Sequence, residues 1–277
     1  MTTKRNVIFQ YMITSKATDT RGDIKGRNRS SLYQECAGIS RESFEIYADK
    51  IGVEHIYSDE RVHTKGHECS TSLLHECLRI IYDPMFDEYD DLLFADTDIV
   101  VNTEDNIFEL CNTGADVYGV LESDFVTHSG GGYNAWDNKN SDAWRDIQLK
   151  WKANDCPIVP TSPPNRPSKV TMMNTGFMVW TKEARLRARE LFGSWEEWCY
   201  GEPIVHMCAT NDQPYISANL MKHGFKIGTI DTTWNDSPHY ATEDEFLAKA
   251  RMCHYTGGEW KIDMLQHFYD ERYMIFN

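Results

Sequence analysis

The chain has 277 residues, with 28 Lys and Arg against 43 Asp and Glu, and a formal net charge of −15. A surface of that sign repels the phosphate backbone of nucleic acids and the face of anionic membranes, which excludes nucleic acid as a partner. Hydrophobic residues make up 41% and aromatics 12%. That is enough to bury a core, yet no segment approaches the roughly 18 consecutive apolar residues that a transmembrane helix needs.

RNVIFQY (5–11) reads as a first buried strand. Ser40 is a candidate cap for a helix over 40–50, with Phe44 and Tyr47 on its apolar face. VEHIYS (53–58) is a second strand. Over 66–82, Leu73, Leu74, Cys77, Leu78 and Ile81 recur at helical spacing, which predicts an amphipathic helix. DDLLFA (90–95) is a third strand, 106–111 a short helical turn and ADVYGV (115–120) a fourth strand. Strands that alternate with helices in this way predict an α/β fold with a mostly parallel central sheet flanked by helices.

A loop-rich region interrupts the pattern over 121–169. It holds SGGGY (129–133), a helix over 141–152, and a run with Pro157, Pro160, Pro163, Pro164 and Pro167. Loops of this length inside a compact domain usually serve function. VTMMNTGFMVW (170–180) is strand-like. A helix over 182–198 buries Ala184, Ala188, Leu191, Trp195 and Trp198, with Arg185, Arg187 and Arg189 on a solvated face beside Glu183 and Glu190. NDQPYISANLMKHG (211–224) is a helix closed by Gly224, and FKIGTI (225–230) a strand. HYTGGEWK (254–261) and an aromatic tail follow. The eight cysteines form no C-x-x-C pair and fall mostly in apolar patterns. With no visible signal peptide or membrane span, a reduced, cytoplasmic protein is expected. Nothing in the pattern fixes the oligomeric state.

LLFADTDIVV (92–101) sets two carboxylates, Asp96 and Asp98, inside an apolar run. In parallel α/β sheets ligands bind at the carboxyl ends of strands, and residues two apart on a strand share a face. Two carboxylates at one spot repel each other unless a cation lies between them, and hard oxygen ligands suit Mn²⁺ or Mg²⁺. The competing reading is a strand end with two surface aspartates. An EF-hand is excluded, because Val100 and Val101 stand where an oxygen ligand and a glycine belong. Asn174 and Gly176 open the next apolar strand, as an ordinary turn also would. Asp212 and Gln213 open a helix, where an acid also serves as a cap. HYTGGEWK gathers a His, two glycines and a Lys, a set suited to metal and phosphate, although a lone His at a strand end is commonly structural.

In order, VIFQY, FDEYDDLLFADTDIVV, NTGFMVW, NDQPYISAN and HYTGGEWK resemble glycosyltransferases of the GT-A (Rossmann-like) fold. The resemblance is greatest to family 8, the glycogenin and bacterial lipopolysaccharide galactosyltransferase type, and spans roughly residues 5–262. It implies a single domain over 1–277, with a nucleotide-binding half (1–120) and an acceptor-binding half (121–277). It further implies that Asp96, Asp98 and His254 hold Mn²⁺, or Mg²⁺ in its place, against the diphosphate of a UDP-sugar. The reaction implied moves a hexose or pentose from UDP-glucose, UDP-galactose or UDP-xylose to a hydroxyl of a glycan or glycoconjugate, with retention.

The resemblance also assigns donor contacts. Phe9, Gln10 and Tyr11 lie under the base, and Arg79 precedes the D-x-D strand. Asp96 and Thr97 are at the diphosphate, Asn174, Thr175 and Gly176 at the sugar, and Gly257 and Lys261 at the phosphates. Asp212 and Gln213 flank the anomeric carbon as the catalytic pair. Arg79 reads equally as an exposed helical arginine. His254 and Gly257 match the family's H-x-x-G-x-x-K-P-W ending, but Lys261 comes one residue late and no Pro-Trp follows. Tyr133, Trp136, Trp144 and Trp151 either stack on acceptor sugars or pack their loop onto the domain. The alternative functions are a sugar-nucleotide nucleotidyltransferase or hydrolase, and a non-catalytic carbohydrate-binding relative.

Overall fold

The computed structural model describes residues 4–13, 23–67, 70–125, 142–157, 172–238 and 242–276. SGGGY, Tyr133, Trp136 and the prolines from 160 to 167 lie outside them. The strands among the described residues are β1 (Asn6–Tyr11), β2 (Glu54–Ser58), β3 (Asp91–Ala95), β4 (Ile99–Val101), β5 (Val117–Leu121), β6 (Met173–Thr181), β7 (Ile227–Thr229) and β8 (Met252–His254). Six form a central sheet in the order β2-β1-β3-β6-β5-β7, while β4 and β8 pair as a separate ribbon. The sheet is mostly parallel, as the alternation predicts. The exception is β6, antiparallel to both β3 and β5. Its reversed direction has a functional consequence: β6 begins at the edge where β1, β3 and β5 end.

Alternation along the strands sorts side chains onto two faces. Val7, Phe9, Leu92, Phe94, Met178 and Trp180 join one apolar cluster. Ile8, Leu93, Ala95, Phe177 and Val179 join the other. Both faces are covered, so the central strands read as continuous apolar runs with no polar side to solvent. Among the described residues no helix is long and apolar enough to cross a membrane.

Several helices depart from the expected bounds. The first runs Arg29–Ile51, eleven residues longer at its start than the 40–50 reading. Asn28 caps it, accepting from the Ser31 amide at 3.0 Å, and Gly52 closes it at φ 70°. Ser40 is not a cap but a fully buried mid-helix residue whose hydroxyl accepts from Gln10. The stretch read as one helix over 66–82 is Ser70–Leu74, a 3₁₀ turn His75–Leu78 and Arg79–Tyr82. The buried Glu76 accounts for the tightening: its carboxylate accepts from the amides of Val62, His63 and Thr64 and from the Thr64 hydroxyl. The helix read over 182–198 breaks at Phe192–Ser194 into Lys182–Leu191 and Trp195–Tyr200, with Ser194 capping the second. The break leaves Leu191 39% exposed and buries Phe192 in its stead.

The three arginines of that helix do not form a solvated face. Arg185 is 1% exposed and donates to the carbonyls of Phe86 (2.7 Å) and Tyr89 (2.5 Å). Arg189 forks onto Asp87 and donates to the Ile81 carbonyl, and Arg187 reaches the His223 carbonyl. Arg185 and Arg189 thus pin the helix to the segment that feeds β3, while Arg187 ties it to the end of the Asp212–Lys222 helix. Trp144 and Trp151 pack edge-to-face at 5.6 Å inside the core, 4% and 1% exposed, which settles them as packing residues and removes them from sugar stacking. The Glu243–Lys249 and Trp260–Tyr269 helices and β8 carry no expectation from the sequence.

Candidate active site

One edge of the sheet gathers the polar residues. Tyr11 ends β1, Asp96 follows β3, Glu122 follows β5, and Asn174, Thr175 and Gly176 open the reversed β6. The Asp96 amide donates to the Gly176 carbonyl at 2.8 Å, which ties β3 to β6 at this edge. The chain then turns: the Ile99 amide donates back to the Asp96 carbonyl at 3.3 Å, and β4 begins. A turn, not strand alternation, thus brings Asp98 to the side of Asp96. The ribbon supplies the third group. Ile99 of β4 registers with His254 of β8, and the Tyr255 amide donates to the Asp98 carbonyl at 2.9 Å.

Ligand atoms of Asp96, Asp98 and His254 all lie within 4.8 Å of one another. His254 Nε2 is 3.2 Å from Asp98 Oδ1 and 3.9 Å from Asp96 Oδ2. A chain of hydrogen bonds fixes which histidine nitrogen carries hydrogen. The Gly176 amide, an unambiguous donor, gives to Asn174 Oδ1, so Asn174 Nδ2 faces and donates to Glu122 Oε1. Asn235 Nδ2 donates to the same Asn174 oxygen at 2.9 Å. Asn235 Oδ1 is therefore turned to His254 Nδ1, 2.7 Å away, and accepts its hydrogen. In the neutral ring, Nε2 then presents a lone pair to the two carboxylates. Asp98 Oδ1 is buried with no hydrogen-bond partner. An orphaned carboxylate oxygen facing an imidazole lone pair makes a candidate site for a divalent cation, oxygen-rich with one nitrogen, of the kind that suits Mn²⁺ or Mg²⁺.

The electrostatics agree. Burial and the charge of Asp98 push the Asp96 carboxyl above the usual range. Burial would also raise Asp98, but the Lys261 ammonium at its Oδ2 holds that carboxyl well below the usual range. A pair split in this way is one that a dication would bring back together as two carboxylates.

Asp212 opens the Asp212–Lys222 helix, one residue after the cap position, Asn211. It is no cap: its Oδ2 accepts from the Thr175 hydroxyl at 2.6 Å and faces the Cys77 thiol at 3.8 Å. Burial lifts its carboxyl from 3.8 to about 6, although the Thr175 hydrogen bond opposes the rise. The native state thus holds this proton more tightly than the unfolded chain, and stability falls as pH climbs from about 4 through 6. Asp212→Asn removes the penalty. Urea unfolding of the variant should show a gain of about 3 kcal/mol at pH 8 that shrinks below about 1 kcal/mol at pH 4; an equal gain at both values would refute this origin. Gln213 Nε2 donates to Glu122 Oε1 at 2.7 Å, so Gln213, Glu122 and Asn174 join in one network with His254.

The other expected residues divide. Tyr11, Asp96, Thr97, Asp98 and Lys261 line one cleft of about 180 Å³ together with Met12, Tyr33 and Leu73. Gln10 sits beneath it, fully buried, donating to the Asp96 carbonyl at 3.2 Å. Phe9 is fully buried in the core. Arg79 does not line the cleft; it pairs with Asp83 at 2.8 Å, donates to the Ser58 hydroxyl at 2.8 Å and covers the Phe9 ring. Gly257, at φ 83°, makes the turn between His254 and the Trp260–Tyr269 helix. The sequence reading missed Glu122 and Asn235. Glu122 had a usable signal, an acid immediately after the carboxyl end of a parallel strand. Asn235 had none.

A mostly parallel α/β sheet carrying a D-x-D turn at its carboxyl edge marks the class: a glycosyltransferase of GT-A fold. The chain superposes on the crystal structure of a glycosyltransferase involved in the glycosylation of the major capsid of PBCV-1 with a TM-score of 0.55 and 14% identity, covering 95% of this chain and 99% of that one. Mouse xyloside xylosyltransferase 1, in its apo form, gives 0.47 and 15% identity over 90% and 97% of the two chains. A197 from STIV gives 0.37 and 13% over 82% of each. No curated protein matches in sequence. Residues 42–261 match glycosyl transferase family 8, and the chain belongs to that family.

Proposed function

We propose that the protein transfers a hexose or pentose from a UDP-sugar, with UDP-glucose, UDP-galactose and UDP-xylose as the candidate donors, to a hydroxyl of a glycan or glycoconjugate, with retention. What carries the reading is the convergence of Asp96, Asp98 and His254, with the orphaned Asp98 oxygen facing the His254 lone pair. A divalent ion held there supplies positive charge to a departing diphosphate. The chain's own groups do the rest. Tyr11, Thr97 and Tyr33 wall the cleft for the nucleotide. Asp212, held by Thr175, and Gln213, held by Glu122, line the face where the anomeric carbon would lie and stabilise its growing positive charge. In this reading 1–277 is one domain, with the donor bound mainly by 1–120 and the acceptor by 121–277. Seven free cysteines among the described residues, most of them buried, support a reducing, cytoplasmic setting.

The test is a thermal-shift panel of nucleotide-sugars with and without Mn²⁺. A donor at 100 times its Kd should stabilise by about 2.7 kcal/mol, or roughly 5–10 °C for a chain of this size. The shift should require Mn²⁺ and uridine. Equal shifts in EDTA, or none with any UDP-sugar, would refute the reading.

A further inference from the structure

Resting on the metal reading just given, we propose that Lys261 is a resident counter-ion of the D-x-D pair: its ammonium holds Asp98 before the metal arrives and couples metal loading to the arrival of a diphosphate. Lys261 is 2% exposed, and its Nζ donates to Asp98 Oδ2 at 2.5 Å and to the Tyr255 carbonyl. The ring of Tyr33 faces the same nitrogen at 5.4 Å, a cation–π contact. The backbone is anchored too, since the Lys261 carbonyl accepts from the Cys36 thiol on the long first helix.

The Asp98 carboxylate is thus divided. Oδ2 belongs to the ammonium, while Oδ1 faces His254 Nε2 at 3.2 Å and has no hydrogen bond of its own. A dication seated on Oδ1 meets a fixed positive charge on the other oxygen of the same group. Asp96, Asp98 and Lys261 together present one net negative charge, where the two acids alone would present two. Metal binding to the free protein is correspondingly weak. A diphosphate entering the cleft that Lys261 lines brings the missing negative charge and draws both cations. Lys261 is the second residue of the Trp260–Tyr269 helix.

The experiment titrates Mn²⁺ into the protein and follows the free-ion signal by electron paramagnetic resonance, with and without UDP. The wild type should bind Mn²⁺ at least about tenfold more tightly with UDP than without it. Lys261→Met and Lys261→Gln should bind Mn²⁺ alone at least about tenfold more tightly than the wild type and gain less from UDP, whereas Lys261→Arg should behave as the wild type. The glutamine variant keeps a donor for the Tyr255 carbonyl if the methionine variant folds poorly. Neutral variants that bind Mn²⁺ no better alone, but lose UDP affinity, would make Lys261 a phosphate contact only and overturn the proposal. So would a wild type with no synergy between Mn²⁺ and UDP. Failure of every variant to bind Mn²⁺ even with UDP would refute the metal reading itself, and this inference with it.

Discussion

Gly176→Ala should lower Mn²⁺ affinity by about 10–100-fold and turnover by a similar factor, with the fold intact. A Cβ at this position would lie 2.5 Å from His254 Cε1, 2.7 Å from Asp96 Oδ2 and 3.2 Å from Asn174 Oδ1. Two of the three candidate ligands and the amide that fixes the histidine tautomer would all be struck by one methyl group. The backbone cannot retreat, because the Gly176 amide donates to Asn174 and its carbonyl accepts from the Asp96 amide. Glycine is needed here for close approach, not for an unusual φ. Gly38 offers the control. It lies inside the first helix with nothing within 4 Å of a built Cβ, so Gly38→Ala should raise stability by about 1 kcal/mol and leave Mn²⁺ binding unchanged. Calorimetric Mn²⁺ titration of both variants in the presence of UDP decides the matter. Wild-type affinity in Gly176→Ala would mean that His254 and Asp96 do not share an ion.

Sequence was informative where the physics is local. β1 and β3 are apolar runs because both faces of the sheet are covered, and two acids in such a run stand out against that background. The motif order, taken as a resemblance, supplied His254, which no local pattern assigns. What stayed hidden depends on contacts distant along the chain. β4 and β8 are three residues each and pair across a long stretch of sequence, too short for any periodicity to register. Arg185, Arg187 and Arg189 sit beside glutamates at helical spacing, which reads as a solvated face; their true partners include the carbonyls of Phe86, Tyr89 and Ile81, and a backbone acceptor leaves no mark in the residue pattern. Asn235 is one amide in a polar stretch, and its role exists only because Asn174 and His254 flank it in space. Lys261 was visible as a cation near a glycine turn, but its burial against Asp98 was not.

Asp98→Asn should eliminate Mn²⁺ binding and cut turnover by about a thousandfold or more, and it should also cost about 2–4 kcal/mol of stability. The two effects have different origins. The first is the loss of a charged ligand whose Oδ1 faces His254. The second arises because Lys261, 2% exposed, keeps its charge and loses the carboxylate that compensates it. Removing one partner of a buried pair leaves an unpaired ion, and that is worse than removing both. The double variant Asp98→Asn/Lys261→Met should therefore recover most of the lost stability and none of the activity, a coupling readable by urea denaturation. Asp96→Asn should behave differently. Asp96 has no buried cation to orphan, and its side chain is 44% exposed. Its replacement should abolish Mn²⁺ binding without destabilising the fold. If Asp98→Asn and Asp96→Asn prove equally stable, Lys261 is not carried by Asp98, and the division of labour between the two acids of the motif is wrong.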